Sequence, residues 1–317
     1  MYKQLTREQR YAIYLGLQKG EPLRDIARQI GVNASTVSRE VKRNSGKGGV
    51  YGWLKAHERA EGRKSRSPGN RAIKAEIIWL VKEHMIEDQW SPKQISGRLA
   101  TEGIHISHET IYRMVRADSS GELAGHCRHK MKYRRKASHG HETKAPGIPD
   151  RVSIHERPAE ADGTRSGDYE MDTVFGKNGK DVLLTIVERA SNFMMMEKLE
   201  YGRQAKPLAD AVYRLLLPYK GELLRTITTD NGSEFSQHKL ISKRLNVPVY
   251  FTDAYSAWQK GAIENTNKLI RQYIPKGTDI SAIPESRIKE IQYKINNRPR
   301  QKLNFLTPKE VFFHHFP

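Results

Sequence analysis

The sequence predicts a multidomain chain with an all-α first half and an α/β second half, and three observations carry that expectation. Apolar residues recur at helical spacing through about residue 117. From Gly167 the period changes to the short alternating or continuous apolar runs of strands. Twice in the first half, two short helical patterns meet at a glycine, as in a helix-turn-helix module.

With 317 residues there is room for two or three domains. The formal charge is +19, and residues 1–150 carry 29 Lys and Arg against 16 Asp and Glu, while the remainder carries 26 against 20. Such a balance favours a polyanionic partner, most commonly nucleic acid, over a merely soluble basic protein. Cys127 is the only cysteine, which excludes an internal disulfide and a cysteine-rich zinc site and fits a reducing cytoplasm. The opening Met1–Arg7 stretch lacks the apolar core of a signal peptide, and no run is long enough to span a membrane.

Thr6-Arg-Glu-Gln9 predicts a capping box opening a helix that ends at Gly20. Pro22 suits the start of a second helix with Leu23, Ile26, Ala27 and Ile30 inward. Gly31 makes the turn, and Asn33 caps a third helix over 34–43. Ser35, Thr36, Ser38, Arg39, Lys42 and Arg43 then lie on the exposed side of a recognition helix, in reach of base edges or phosphates. The alternative is a plain three-helix bundle with a charged face. This first domain is expected over 1–46.

Residues 47–117 predict a helical region with a second helix-turn-helix. After the Gly46–Gly49 joint, 51–66 reads as a basic helix that tracks phosphates or serves as a linker, and 71–87 as a long helix. Ser91-Pro92 is a helix start with Pro at the first position. Gly103 turns the chain and Ser107 caps the next helix, exposing His108, Glu109, Tyr112, Arg113 and Arg116. Residues 118–165, with the run Arg128–Lys136, are expected to be a basic linker. His126, Cys127 and His129 match no common zinc spacing, and a basic loop near DNA accounts for them.

In 166–280 the expected strands are 168–175, 182–187 and 193–199, with Asn178-Gly179 as a hairpin turn. A helix with Leu208, Ala211, Val212, Leu215 and Leu216 inward follows, then a strand ending at Thr229, a helix over 235–245, a strand at 249–252 and a helix carrying Glu264. Three hairpin-connected strands followed by alternating helices and strands describe a ribonuclease-H-like α/β sheet. There is no Gly-rich dinucleotide loop and no Walker sequence. Residues 281–317 are expected to be a helical segment packed on this core, with helices at 286–296 and after Thr307-Pro308.

Asp172 in a strand, Asp230 at a strand end and Glu264 on a helix are three carboxylates on separate elements without an obvious local basic partner. They suggest a site for hard divalent cations, with Glu170 and Glu234 as rivals. Residues 264, 268 and 271 share one helix face, so a carboxylate there is followed by two cations. Lys260, Lys268 and Arg271 are the expected DNA contacts of this region; the alternative for Glu264 and Lys268 is an ordinary surface pair.

Asp172-Thr, Asp230-Asn-Gly-Ser-Glu-Phe and Gln259-Lys-Gly-Ala-Ile-Glu264-Asn-Thr-Asn resemble the DDE integrase core of retroviral integrases and many bacterial transposases. Together with Trp258-Gln-Lys-Gly, Leu269–Lys276 and an N-terminal helix-turn-helix, they resemble the bacterial insertion-sequence family numbered thirty, over nearly the whole chain. The resemblance implies a transposase that binds the terminal inverted repeats of its element, nicks the ends and joins the 3′-hydroxyls to target DNA. It implies Asp172, Asp230 and Glu264 as ligands of Mg²⁺ or Mn²⁺, two per site. It also implies a homodimer or higher assembly, and a bacterial cytoplasmic, nucleoid-associated location. The competing functions are a repressor with a silent integrase-like core and a ribonuclease-H-type nuclease. All three carboxylates are intact against the first, and two DNA-reading modules stand against the second.

Overall fold

The computed structural model describes residues 4–46, 48–66, 73–128, 148–177, 179, 181–254 and 256–315. The chain divides into two compact units, Met1–Ile78 and Trp79–Pro317.

The first unit begins with α1 (Arg7–Gln18), α2 (Leu23–Gln29) and α3 (Ala34–Asn44). The capping box forms as expected: Thr6 accepts from the Gln9 amide, and the Gln9 side chain returns to the Thr6 amide. Asn33 caps α3 through the Ser35 amide. Ile13, Ile26, Ala27 and Val37 meet in the core, and Gly16 lets α1 and α2 approach, since a Cβ there would lie 2.6 Å from Ile26. The division expected after residue 46 falls inside this unit. α4 (Trp53–Arg66) sends Arg59 to the carbonyls of Asn44 and Ser45, at 2.7 and 3.0 Å, and Arg63 to the Asn44 side chain. These arginines cap the carboxyl end of α3, where cations offset the unpaired carbonyls.

The division falls inside α5 (Ala75–Ile86), and the second unit goes on with α6 (Pro92–Thr101), α7 (His108–Ala117) and α8 (Glu122–His126). The start expected at Arg71 lies outside the described residues. Ser91 and Gln94 form a capping box for α6, and Ile95, Leu99, Ile111 and Val115 are buried where α6 and α7 cross. α6 is fastened to the chain's last segment. Arg98 grips Glu310 with two hydrogen bonds of 3.0 and 2.9 Å, and Gln94 donates to the Pro299 carbonyl. Phe305 packs so close to Gly97 that a Cβ would sit 2.2 Å from its ring.

The expected linker needs correction at its end. His129 and most of the basic run lie outside the described residues. Ile148, however, is buried in the core, and Val152–Ser153 forms a strand, β1. Two residues are too short for any period to show. The sheet adds β2 (Asp168–Phe175), β3 (Val182–Glu188), β4 (Met194–Leu199), β5 (Thr226–Thr229) and β6 (Val249–Phe251), in the order β1-β6-β5-β2-β3-β4. β2, β3 and β4 pair antiparallel, while β5, β6 and β1 continue parallel on the other side of β2. That is the ribonuclease-H-like arrangement with one added edge strand. Asn178 of the expected hairpin turn is outside the described residues.

β3 is buried along its whole length because both faces are covered. α9 (Ala205–Leu216) and α10 (His238–Leu245) pack on one face, and α11 (Gly261–Tyr273) and α12 (Glu285–Asn296) on the other. α12 also protects the β4 edge: Asn296 and Gln292 side chains accept from the Met194 and Met196 amides, each at 2.8 Å. α13 (Pro308–His315) buries Phe312 against Phe193, as expected of a segment packed on the core.

Candidate active site

Strand register builds the site. In the parallel pairing of β2 with β5, Glu170 is opposite Thr228. Two residues further along each chain, on the same face, stand Asp172 and Asp230. β5 ends at Thr229, so Asp230 lies at the carboxyl end of a parallel strand, where open α/β sheets bind ligands.

The Asp-Asn-Gly-Ser-Glu-Phe run fixes this corner residue by residue. Asp230 Oδ1 accepts from the Gly232 amide at 3.0 Å. Asn231 donates to the Thr252 carbonyl and accepts from Arg151, which ties the turn to β6 and β1. Gly232 leaves space for the Glu234 carboxylate, which a Cβ would meet at 2.7–2.9 Å. Glu234 is buried and takes Thr173 Oγ1 and Arg203 Nη2, each at 2.9 Å. Phe235 fills the core.

Between the two aspartates sits one cation. Lys260 Nζ lies 2.8 Å from Asp230 Oδ2 and 3.6 Å from Asp172 Oδ1. Lys260 is buried, because the single 3₁₀ turn Ala257–Lys260 folds it inward. It is therefore not an exposed DNA contact, and Asp230 does have a basic partner, contrary to expectation. Asp172 is further held by Asn267 Nδ2 at 2.9 Å and by the Thr173 amide at 2.8 Å. Asn267 is itself braced by Thr185 at 3.1 Å. Burial, with Asp230 beside it, raises the Asp172 carboxyl above the usual range, and Lys260 offsets part of that rise.

Glu264 sits on α11 four residues after Lys260 and three before Asn267, on the stripe of the helix that meets Asp172. Its carboxylate turns along the surface to Lys268 at 2.6 Å, the surface pair weighed above. Among the described residues no trio of carboxylates or imidazoles is drawn together as a metal cage. The structure thus joins Asp172 with Asp230 and leaves Glu264 adjacent along the helix.

The rival carboxylates are already committed. Asp168 is paired with Arg165 and Thr226. Glu170 is buried, paired with Arg189 at 2.9 Å, and accepts from the Ile263 amide at 2.8 Å. Side-chain exposure separates the groups: about 0–4% for Asp168, Glu170 and Glu234, against 24% for Asp172, 41% for Asp230 and 44% for Glu264.

The donor set suits a hard divalent cation. Carboxylate oxygens are its preferred ligands, and two of them already share one positive charge. Glu264 would complete the set from the neighbouring turn. Asn267 and Thr185 were missed in the sequence. The signal was there for Asn267, three residues after Glu264 and hence on the same face.

Of the expected DNA contacts on α3, Ser35, Ser38, Arg39, Lys42 and Arg43 are exposed and Thr36 is half-buried. On α7, His108 and Arg113 are exposed, and Tyr112 is half-buried, edge-on to His108. Lys268 is exposed beside Glu264. Arg271 is half-buried and donates to the Phe175 carbonyl at 2.9 Å, which occupies part of its guanidinium in the fold.

A helix-turn-helix domain model matches residues 1–44, and a homeodomain-like domain model matches residues 36–115. The transposase for insertion sequence element IS4351 of Bacteroides fragilis is 43% identical over 98% of this chain and 96% of the relative. The transposase for IS1086 of Cupriavidus metallidurans is 34% identical over 98% and 94%. Transposase InsI for IS30A of Escherichia coli is 34% identical over 97% and 82%. In shape the chain is similar to the catalytic core domain of BIV integrase, at 18% identity and a TM-score of 0.37, covering 48% of this chain and 96% of that one. Identity of this level along nearly the whole length places the chain in the IS30 family of insertion-sequence transposases.

Proposed function

We propose that this chain binds the terminal inverted repeats of its own element, nicks the ends and joins the freed 3′-hydroxyls to target DNA, with Asp172, Asp230 and Glu264 as metal ligands. The observation that carries this is the Asp172–Asp230 pair, brought together by register and sharing the Lys260 ammonium while the neighbouring Glu170 and Glu234 are consumed by the fold.

Bound Mg²⁺ or Mn²⁺, two per site, would activate the attacking oxygen and stabilise the leaving oxygen in an in-line phosphoryl displacement. The chain's own residues do the positioning. Asn267 and the Thr173 amide fix one carboxylate, the Gly232 amide fixes the other, and Gln259 clamps the intervening loop through Asp253 at 2.8 Å. Lys260 holds the two carboxylates together and, once a cation replaces it there, can serve a DNA phosphate. No serine, tyrosine or cysteine is needed as a nucleophile. The exposed residues of α3 and α7 would read the repeat and its phosphates.

The test is purified protein with duplex DNA carrying the element's end, with Mg²⁺ or with a chelator. Nicked and joined products only with the metal are expected. Specific binding with no metal-dependent nicking would leave a DNA-binding protein with a silent core and overturn the proposal.

A further inference from the structure

We infer that a cavity between α6, α11 and residues 298–305 is a seat for a backbone phosphate of bound DNA. Its volume is about 370 Å³, and Lys93, Arg128, Arg298, Arg300 and Lys302 all line it, with no carboxylate among its described lining residues.

Among the described residues, no carboxylate bonds to the deepest of these cations. Arg298 is 2% exposed. Its terminal nitrogens donate to Gln272 Oε1 at 3.1 Å and Tyr273 Oη at 2.7 Å, both uncharged, and its Nε has no partner. Arg300 donates to the Ile295 carbonyl at 3.2 Å, and its Nε is likewise without a partner. Asp88, whose charge is felt at Arg298, is engaged by His84 at 2.8 Å. A buried guanidinium without an opposite charge is costly, and two adjacent ones repel each other. Burial first, then Arg298 and Arg128, push the Arg300 pKa down to about 9, which leaves it charged at neutral pH. An anion would satisfy the orphan nitrogens and offset the repulsion, and the planar arginine fork suits phosphate oxygens.

The DNA bound in the proposed function is the source of that phosphate. One wall is α11, through Asn265, Thr266 and Leu269, on the side of that helix turned away from Glu264. The other wall is α6, which belongs to the stretch matched by the homeodomain-like model. The inference takes DNA as the ligand from the proposed function, but it does not depend on which carboxylates hold metal.

The full chain is titrated with end-bearing duplex at several salt concentrations, comparing wild type, Arg298→Gln and the mouth variant Lys93→Gln/Arg128→Gln, with thermal unfolding as the control for folding. Each lost phosphate contact is expected to lower the slope of log affinity against log salt by about 0.9. If Arg298→Gln fails to fold, the exposed mouth variant decides. An unchanged slope in folded variants overturns the inference while leaving the transposase reading intact; wild type that binds no DNA overturns both. A parallel arm adds inorganic phosphate at matched ionic strength. Stabilisation of wild type by phosphate with unchanged DNA slopes assigns the cavity to free phosphate and also overturns the inference.

Discussion

Glu170 and Glu234 have the charge and position of metal ligands, but their oxygens are already bonded to arginine, hydroxyl or backbone donors in buried surroundings. Removing one partner of a buried ion pair such as Glu170–Arg189 costs about 3–5 kcal/mol, and less is lost at Glu234, whose partner Arg203 is half exposed. Glu170→Gln and Glu234→Gln should therefore lower the melting temperature, whereas Asp172→Asn should keep it, since Asn267 still finds an acceptor there. Thermal unfolding beside a DNA-binding assay checks both. Lys260 supports a second prediction. Its ammonium competes with metal for two carboxylates, so Lys260→Gln should tighten Mg²⁺ binding by about tenfold, read as a larger Mg²⁺-induced rise in melting temperature than in wild type. Weaker Mg²⁺ stabilisation in that variant would show that Lys260 supports the metal instead. Asp172, Asp230 and Glu264 stand out as candidates in the sequence because each lies in a compact run of unusual residues. The Lys260 bridge does not, because it joins residues far apart in the chain through a 3₁₀ turn that no period announces.

At the scale of elements, caps and turn glycines carried most of the legible information. Thr6, Asn33, Ser91 and Ser107 each cap the helix expected of them, and α3, β3 and α12 match their expected spans to within a residue or two. Contacts made by surface-patterned residues were not legible. Arg59 and Arg63, within the stretch expected as a basic helix, cap α3, and nothing in the sequence marks Gly97 as the residue that receives the Phe305 ring. Asn304 and Phe305 both have left-handed backbone, with φ of 52° and 64°, a conformation costly for a phenylalanine and held here by the ring's fit against α6. Gly97→Leu should accordingly destabilise the second unit by about 1–3 kcal/mol through overpacking, seen as a lower midpoint in denaturant unfolding. On α3, Arg39 is exposed and bonds to Ser35 at 2.9 Å within its own helix, leaving it able to turn toward DNA. Arg39→Ala should weaken binding to the terminal repeat by about 1–3 kcal/mol while weakening random DNA less. Equal losses on both DNAs would make Arg39 a phosphate contact only.

At the scale of the molecule, the α5–α8 module belongs to the same compact unit as the carboxylates and is fastened to the C-terminal segment through Gln94, Gly97 and Arg98. The sequence suggested a linker there because the intervening residues are basic and polar; the docking is carried by a few long-range contacts. One chain supplies one set of carboxylates and an element has two ends, so coordinated joining is proposed to take at least two chains. Mixing Glu264→Gln with Arg39→Ala/Arg43→Ala should then restore joined product that neither variant makes alone, and mixed assemblies without rescue would count against action in trans. Glu264 is proposed to complete the metal site begun by Asp172 and Asp230, although its carboxylate turns to Lys268 in this structure. The most direct measurement is the rate of Mg²⁺-dependent nicking of element-end DNA by Glu264→Gln beside wild type, with a band shift confirming equal binding. An unchanged shift and a nicking rate lower by at least about a hundredfold are expected; nicking at close to the wild-type rate would remove Glu264 from the metal site.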